Sequence, residues 1–222
     1  MTISRILAVL LLGALTAPAH AVFIGNSQGG TDFPQGAISF ADAVESYLVG
    51  GGGATAPHQG AFNALGVPDY TGTNSCPSQA GCSFVSLGDG GSLIVRFVDN
   101  KLTGSGTNAF DLWVFEVGPD IEDTFVEIST NGLAWNAVGK VFGSTAGIDI
   151  DAFGFGIASQ FGYVRLTDDT LEGGQSGATV GADIDAVGAI STVATPVPEP
   201  YSVALFATAM VLGGAQRRRL HG

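Results

Sequence analysis

Asp183 and Asp185 stand two residues apart in the run Asp183-Ile184-Asp185-Ala186-Val187. In an extended strand that spacing turns both carboxylates to one face, where they can converge on a cation. Asp168, with Asp169 beside it, closes the preceding apolar run and is the nearest candidate to join them. Asp111 and Glu116 bracket a third run, Asp111-Leu112-Trp113-Val114-Phe115-Glu116. They fall on opposite faces of an ideal strand and share a site only across a bulge. Oxygen donors of this kind suit calcium, which takes six to eight oxygens at about 2.3–2.6 Å. Calcium at Asp168, Asp183, Asp185, Asp111 and Glu116 is the cofactor these residues admit. For each aspartate the alternative is capping of a glycine-rich turn or simple solvation. Asp149-Ile150-Asp151 lacks the glycine and distal glutamate of an EF-hand loop.

Catalytic chemistry finds less to work with. Nucleophilic hydrolysis wants a base beside a serine or cysteine, and His58 is the lone histidine of the long middle segment, expected at the surface in a glycine-rich loop. Gly50 to Gly53 is not followed by the Lys-Ser/Thr of a phosphate loop. Paired carboxylates could cleave glycosides, a reading that sequence spacing alone does not separate from chance. Cys76 and Cys82 enclose Pro-Ser-Gln-Ala-Gly and are expected to be bonded to each other as a staple. With His58 they fall short of the four ligands zinc prefers.

The elements that would position these residues read as strands. Ser83–Leu87, Ser92–Val98, Asp111–Val117, Thr124–Ser129, Leu133–Val138, Phe161–Thr167 and Asp183–Ile190 are short, rich in β-branched or aromatic residues, and separated by Gly, Asn and Asp. Thr130-Asn131-Gly132 predicts a tight hairpin, since Asn-Gly supplies positive φ angles. Trp113 and Trp135 sit inside apolar runs and are expected to pack in the core or at its edge. Asp42–Leu48 reads as a turn or two of helix, ended by Gly50 to Gly53. The pattern predicts an all-β protein with a single jelly-roll-type β-sandwich over residues 22–196.

Both ends are apolar stretches flanked by charge. Arg5 precedes an apolar run from Ile6 to Leu15, and Ala19-His20-Ala21 offers small residues three apart, so residues 1–21 read as a signal peptide for signal peptidase. Cleavage after Ala19 and an uncleaved anchor are the alternatives. At the other end, Val197-Pro198-Glu199-Pro200 leads into an apolar helix over 201–215 and a basic tail over 216–222 with Arg217, Arg218 and Arg219. Fifteen helical residues reach roughly 22 Å, short of the ~30 Å hydrocarbon core. The arginines hold that end in the cytoplasm and leave the domain outside. The chain's net charge is -12, and only Arg96, Lys101, Lys140 and Arg165 are basic in the middle, a balance that repels nucleic acid.

The order motif, helix, basic cluster over residues 197–222 resembles the PEP-CTERM sorting signal. That resemblance implies recognition by an exosortase-type membrane protease, cleavage near the motif, and delivery to the cell envelope or extracellular matrix. An ordinary single-pass anchor is the alternative, and it too leaves the domain outside. In the middle, Ala41-Asp42-Ala43-Val44-Glu45-Ser46-Tyr47, Ala64-Leu65-Gly66-Val67-Pro68-Asp69, Val85-Ser86-Leu87-Gly88, Asp111 to Glu116 and Gly181 to Val187 resemble, in that order, bacterial surface proteins related to discoidin-like, galactose-binding-like domains. This implies a jelly-roll β-sandwich, a fold that often binds glycan through loops and often holds a structural calcium ion; it does not imply catalysis. The expectation is an exported, non-catalytic cell-surface or exopolysaccharide-matrix protein, with extracellular polysaccharide as partner. A secreted carboxylate-dependent glycan-processing enzyme is the alternative.

Overall fold

The computed structural model describes residues 20–25, 30–72, 75–118, 122–173 and 176–194. Most of the signal peptide, the sorting motif Val197 to Pro200 and the tail with Arg217, Arg218 and Arg219 therefore lie outside the described residues. No helix among the described residues is long and apolar enough to cross a membrane.

Two antiparallel sheets form an all-β sandwich. The strands are β1 Val22–Ile24, β2 Thr31–Phe33, β3 Ala43–Leu48, β4 Val85–Ser86, β5 Ser92–Arg96, β6 Asn100–Leu102, β7 Leu112–Glu116, β8 Asp123–Ser129, β9 Asn136–Phe142, β10 Ala146–Ile148, β11 Tyr163–Asp168, β12 Asp183–Ala189 and β13 Thr192–Ala194. One sheet has the order β10-β7-β12-β4, the other β3-β5-β11-β8-β9. In the five-stranded sheet the period is two: Leu93 and Val95, Val126 and Ile128, and Val164 and Leu166 point inward and are fully buried. They meet Leu112, Val114, Ile184 and Val187 of the four-stranded sheet in one core.

β7 and β12 are buried on both faces. The hairpin β1–β2 and Phe40 cover their outer side, where Phe33, Phe40, Trp113, Phe115 and Ala186 form a second apolar cluster. Covered on both sides, these strands read as nearly continuous apolar runs rather than alternating ones. Trp113 belongs to this outer layer and not to the central core.

Three expectations change. Ala43–Leu48 is a strand, not a helix. Its register against β5 shifts between Val44 and Ser46, so the extra residue Glu45 sits in a bulge. Val44 and Tyr47 therefore face the core together at a spacing of three, which imitates helical periodicity. Second, β8 and β9 do form a hairpin, but the connection runs from Thr130 to Trp135. Gly132 alone in it has a positive φ; Asn131 acts through its side chain, whose Oδ1 accepts from the Leu133 and Ala134 amides at 2.9 and 3.0 Å. Third, Leu133 is 84% exposed, and the predicted strand begins only at Asn136. Trp135, half-buried in this loop, lies under the guanidinium of Arg165, 4.5 Å from the ring centroid.

Candidate functional site

The ends of β7 and β11 and the starts of β8 and β12 meet at one end of the sandwich. Asp168 is the last inward position of β11 and pairs across the sheet with Thr124, also inward on β8. Glu116 closes β7 opposite Ile184, and Asp183 pairs with Ser86 of β4. Glu122, Thr124, Asp168, Asp183 and Glu116 are all buried.

Backbone geometry lets polar groups in close. Asp168 accepts from the Ala182 amide at 2.8 Å and the Gly90 amide at 2.9 Å. Those amides reach it because Gly181, at φ +72°, passes so near Gly88 that a Cβ would stand 2.6 Å from its backbone. The Ser86 hydroxyl donates to Asp183 Oδ1. Two oxygens stay unsatisfied: Glu116 Oε2 and Thr124 Oγ1 are buried with no hydrogen-bond partner.

The electrostatics describe a site short of positive charge. Burial pushes the Glu116 carboxyl up to about 9, helped by the charges of Glu122, Asp183 and Asp168. Burial likewise lifts Asp183 to about 8 against the Ser86 hydrogen bond, with Glu122 and Asp168 adding to the rise. Asp168 is raised by burial although its two backbone donors oppose this. Tyr47, whose hydroxyl donates to the Ser86 carbonyl at 2.7 Å, is pushed up to about 12 by burial and by Asp183. Just outside, Lys140 stands 2.6 Å from both Asp123 and Asp169, and its ammonium lies 5.3 and 5.7 Å from the ring centroids of Phe125 and Phe142.

Of the residues singled out in the sequence, Asp168, Asp183 and Glu116 come together here. Asp185 does not share their partners. It is the extra residue of a bulge between Ile184 and Ala186, and accepts instead from the Asp69 and Tyr70 amides at 3.2 and 3.3 Å. The bulge ends the two-residue alternation that would have aligned it with Asp183. Burial lifts Asp185 to about 6. Asp111 sits at the other end of β7, where Ser191 and the Ile150 amide donate to it at 2.7 and 3.0 Å. Its carboxylate lies within 4.8 Å of those of Asp149 and Asp151. Asp169 faces Lys140, which holds its carboxyl below the ordinary range.

Sequence reasoning missed Glu122, Thr124, Ser86 and Lys140. The signal for the first two was the acidic pair Glu122-Asp123 before one strand and Asp168-Asp169 after another, which an antiparallel register brings side by side. Cys76 and Cys82 are disulfide-bonded, as their spacing predicts. His58 departs from expectation: it is only 6% exposed, packed 5.6 Å from the Phe84 ring beside the disulfide. Ala54 and Gly60 on either side of it are buried too, while Gly51, Gly52, Thr55 and Ala56 stay exposed.

A carboxyl with a raised pKa can serve as a general acid only if substrate reaches it. Glu116 and Asp183, at 7% and 5% exposed, are better placed to surround an ion than to protonate a sugar. The donors are hard oxygens of the kind calcium takes, and Glu116 feels the charges of Glu122, Asp183 and Asp168, but among the described residues the one carboxylate trio whose oxygens lie within 4.8 Å of one another is Asp111, Asp149 and Asp151 at the other end of β7.

No family model and no curated protein matches the chain. Among solved structures, CpGH89CBM32-6 from Clostridium perfringens is similar at 11% identity and a TM-score of 0.32, over 49% of this chain and 74% of that one. The C-terminal domain of a chitobiase from Bacteroides fragilis is similar at 10% identity and a TM-score of 0.36, over 78% of this chain and 99% of that one. Likenesses this loose fix neither a family nor a ligand.

Proposed function

We propose that the chain is an exported, non-catalytic surface or matrix protein whose jelly-roll-type sandwich is completed by calcium at one end and binds glycan there. The observation that carries this reading is the buried carboxylate group of Glu116, Asp168 and Asp183, with Glu122 beside it and Glu116 Oε2 unpartnered. Calcium held by these residues would supply the missing positive charge and tie β7, β11 and β12 together. Export and sorting rest on the two ends of the sequence: the signal peptide over 1–21 and the Pro198-Glu199-Pro200 motif with its helix and arginines, read by an exosortase-type protease. For glycan, the supporting feature is the exposed pair Phe125 and Phe142, at 45% and 67%, flanking Lys140, Asp123 and Asp169. Open aromatic faces beside a few placed polar groups suit a sugar ring.

The test has three arms. Calorimetry of the full chain with calcium and with EDTA should show calcium-dependent melting; no difference refutes the ion. A glycan array should show retention without product release, and turnover abolished by a single Asp or Glu substitution would refute the non-catalytic reading. Mass spectrometry of the native C-terminus should find it shortened; an intact Arg217 to Arg219 tail in the surface protein would refute processing.

A further inference from the structure

His58 ends the short 3-10 turn Ala56–His58. One of its ring nitrogens and the sulfurs of Cys76 and Cys82 all lie within 4.8 Å of one another. Of the two ring nitrogens, Nδ1 has a hydrogen-bond partner and Nε2 has none. The Thr55 hydroxyl is hydrogen-bonded to Nδ1 at 2.8 Å; when it donates to the Ala178 carbonyl, 3.3 Å away, it accepts from Nδ1–H. In the neutral ring Nε2 then presents a bare lone pair, buried and without a hydrogen-bond partner. A buried acceptor left without a donor is disfavoured, and a disulfide has no proton to give.

We propose that reduction of the Cys76–Cys82 disulfide turns this corner into a copper(I) site of two thiolates and His58 Nε2. A dithiol reductant supplies two electrons and two protons to break the S–S bond and leaves as its own disulfide. Copper(I) then displaces the two thiol protons to solvent and keeps its oxidation state. Three ligands with two thiolates suit copper(I), whereas zinc wants a fourth. The corner is held without the cross-link. Asn63 Nδ2 donates to the Gln79 and Phe84 carbonyls at 2.9 and 3.2 Å, and Gln79 Nε2 donates to the Ala56 carbonyl at 3.0 Å. Thr55 would act as a positioning residue, fixing the tautomer that leaves Nε2 free.

The full chain, reduced anaerobically with a dithiol and desalted, would be titrated with copper(I) against a chromophoric copper(I) chelator. One copper per chain is expected, with thiolate-to-copper absorption and protection of both thiols from alkylation, while the oxidised chain takes none. His58→Phe should weaken binding by about tenfold or more, and Thr55→Val, which leaves all three ligands in place, by about tenfold. Circular dichroism of each reduced variant checks that it is folded. The proposal is overturned if the reduced chain takes up no copper, if the oxidised chain takes as much, if both variants bind as tightly as the parent, or if zinc is held more tightly than copper.

Discussion

Replacing Glu116 by glutamine probes the acidic end most directly, because it removes the ionisable proton and keeps the shape. Without a cation the folded chain holds Glu116 protonated up to about 9 and Asp183 up to about 8. Between the ordinary glutamate value of 4.5 and about 9, the folded state therefore binds more protons than the unfolded state. Stability must fall as pH rises through that window and level off above it. At pH 7 the chain stands about two and a half units into the window. At about 1.36 kcal/mol per unit, Glu116 alone costs about 3 kcal/mol relative to pH 4.5. Glutamine has no proton to lose, so in EDTA at pH 7 E116Q should be the more stable form by up to about 3 kcal/mol. At about 2–4 °C per kcal/mol, that is a Tm raised by several degrees and a flatter pH profile. Calcium closes most of that gap. At about a hundred times its Kd it should stabilise the parent by about 2.7 kcal/mol and bind more tightly as pH rises, and E116Q should respond much less. Scanning calorimetry from pH 5 to 9, with EDTA and with calcium, reads all of this. A parent profile flat with pH in EDTA, or an E116Q variant that is less stable there and keeps the full calcium increment, would sink the reasoning.

Other substitutions test other parts of the frame. Phe33→Ala opens the outer aromatic layer over β7 and β12 and should cost about 3–5 kcal/mol in a urea titration, with little change in calcium response. Gly181→Ala forces a positive φ on an L residue and a Cβ against the Gly88 backbone; it should destabilise the chain by several kcal/mol and lower calcium affinity, because Ala182 donates to Asp168. Replacing Cys76 and Cys82 together by alanine removes a short cross-linked loop and should shift the denaturant midpoint by about 2 kcal/mol, with glycan and calcium binding kept.

The sandwich was legible wherever a strand alternates. β5, β8 and β11 place one face in the core and one outside, and period two announces them. It was obscured where a bulge breaks the count: Val44 and Tyr47, three apart around Glu45, read as helix, and Asp185 was assigned to the face of Asp183. The three-residue strands β1, β2, β6, β10 and β13 were too short to give a period at all. Individual carboxylates of the acidic end could be nominated, because Asp at the end of an apolar run is conspicuous. Their grouping could not, since it depends on the register of β8 against β11 and on the pairing of β7 with β12. Asp111 and Glu116 stay apart. The strand's alternation, Leu112 and Val114 to one side and Trp113 and Phe115 to the other, keeps the expected opposite faces, and its length adds about 16 Å between its ends.

The acidic end also poses a question of design. Apolar residues of similar volume at Glu116 and Asp183 would serve a bare fold at least as well, since buried charge is costly unless compensated. The chain instead invests glycines at 88, 90, 91 and 181 to bring backbone amides onto Asp168, and leaves Glu116 Oε2 and Thr124 Oγ1 unmatched. Glu116 and Asp183 belong to one sheet, and Asp168 and Thr124 to the other. An ion among them would couple the two sheets at this end, beside Lys140 and the exposed Phe125 and Phe142. Calcium would then set how firmly the platform offered to a glycan is held, so glycan affinity should fall in EDTA even at temperatures where the domain stays folded.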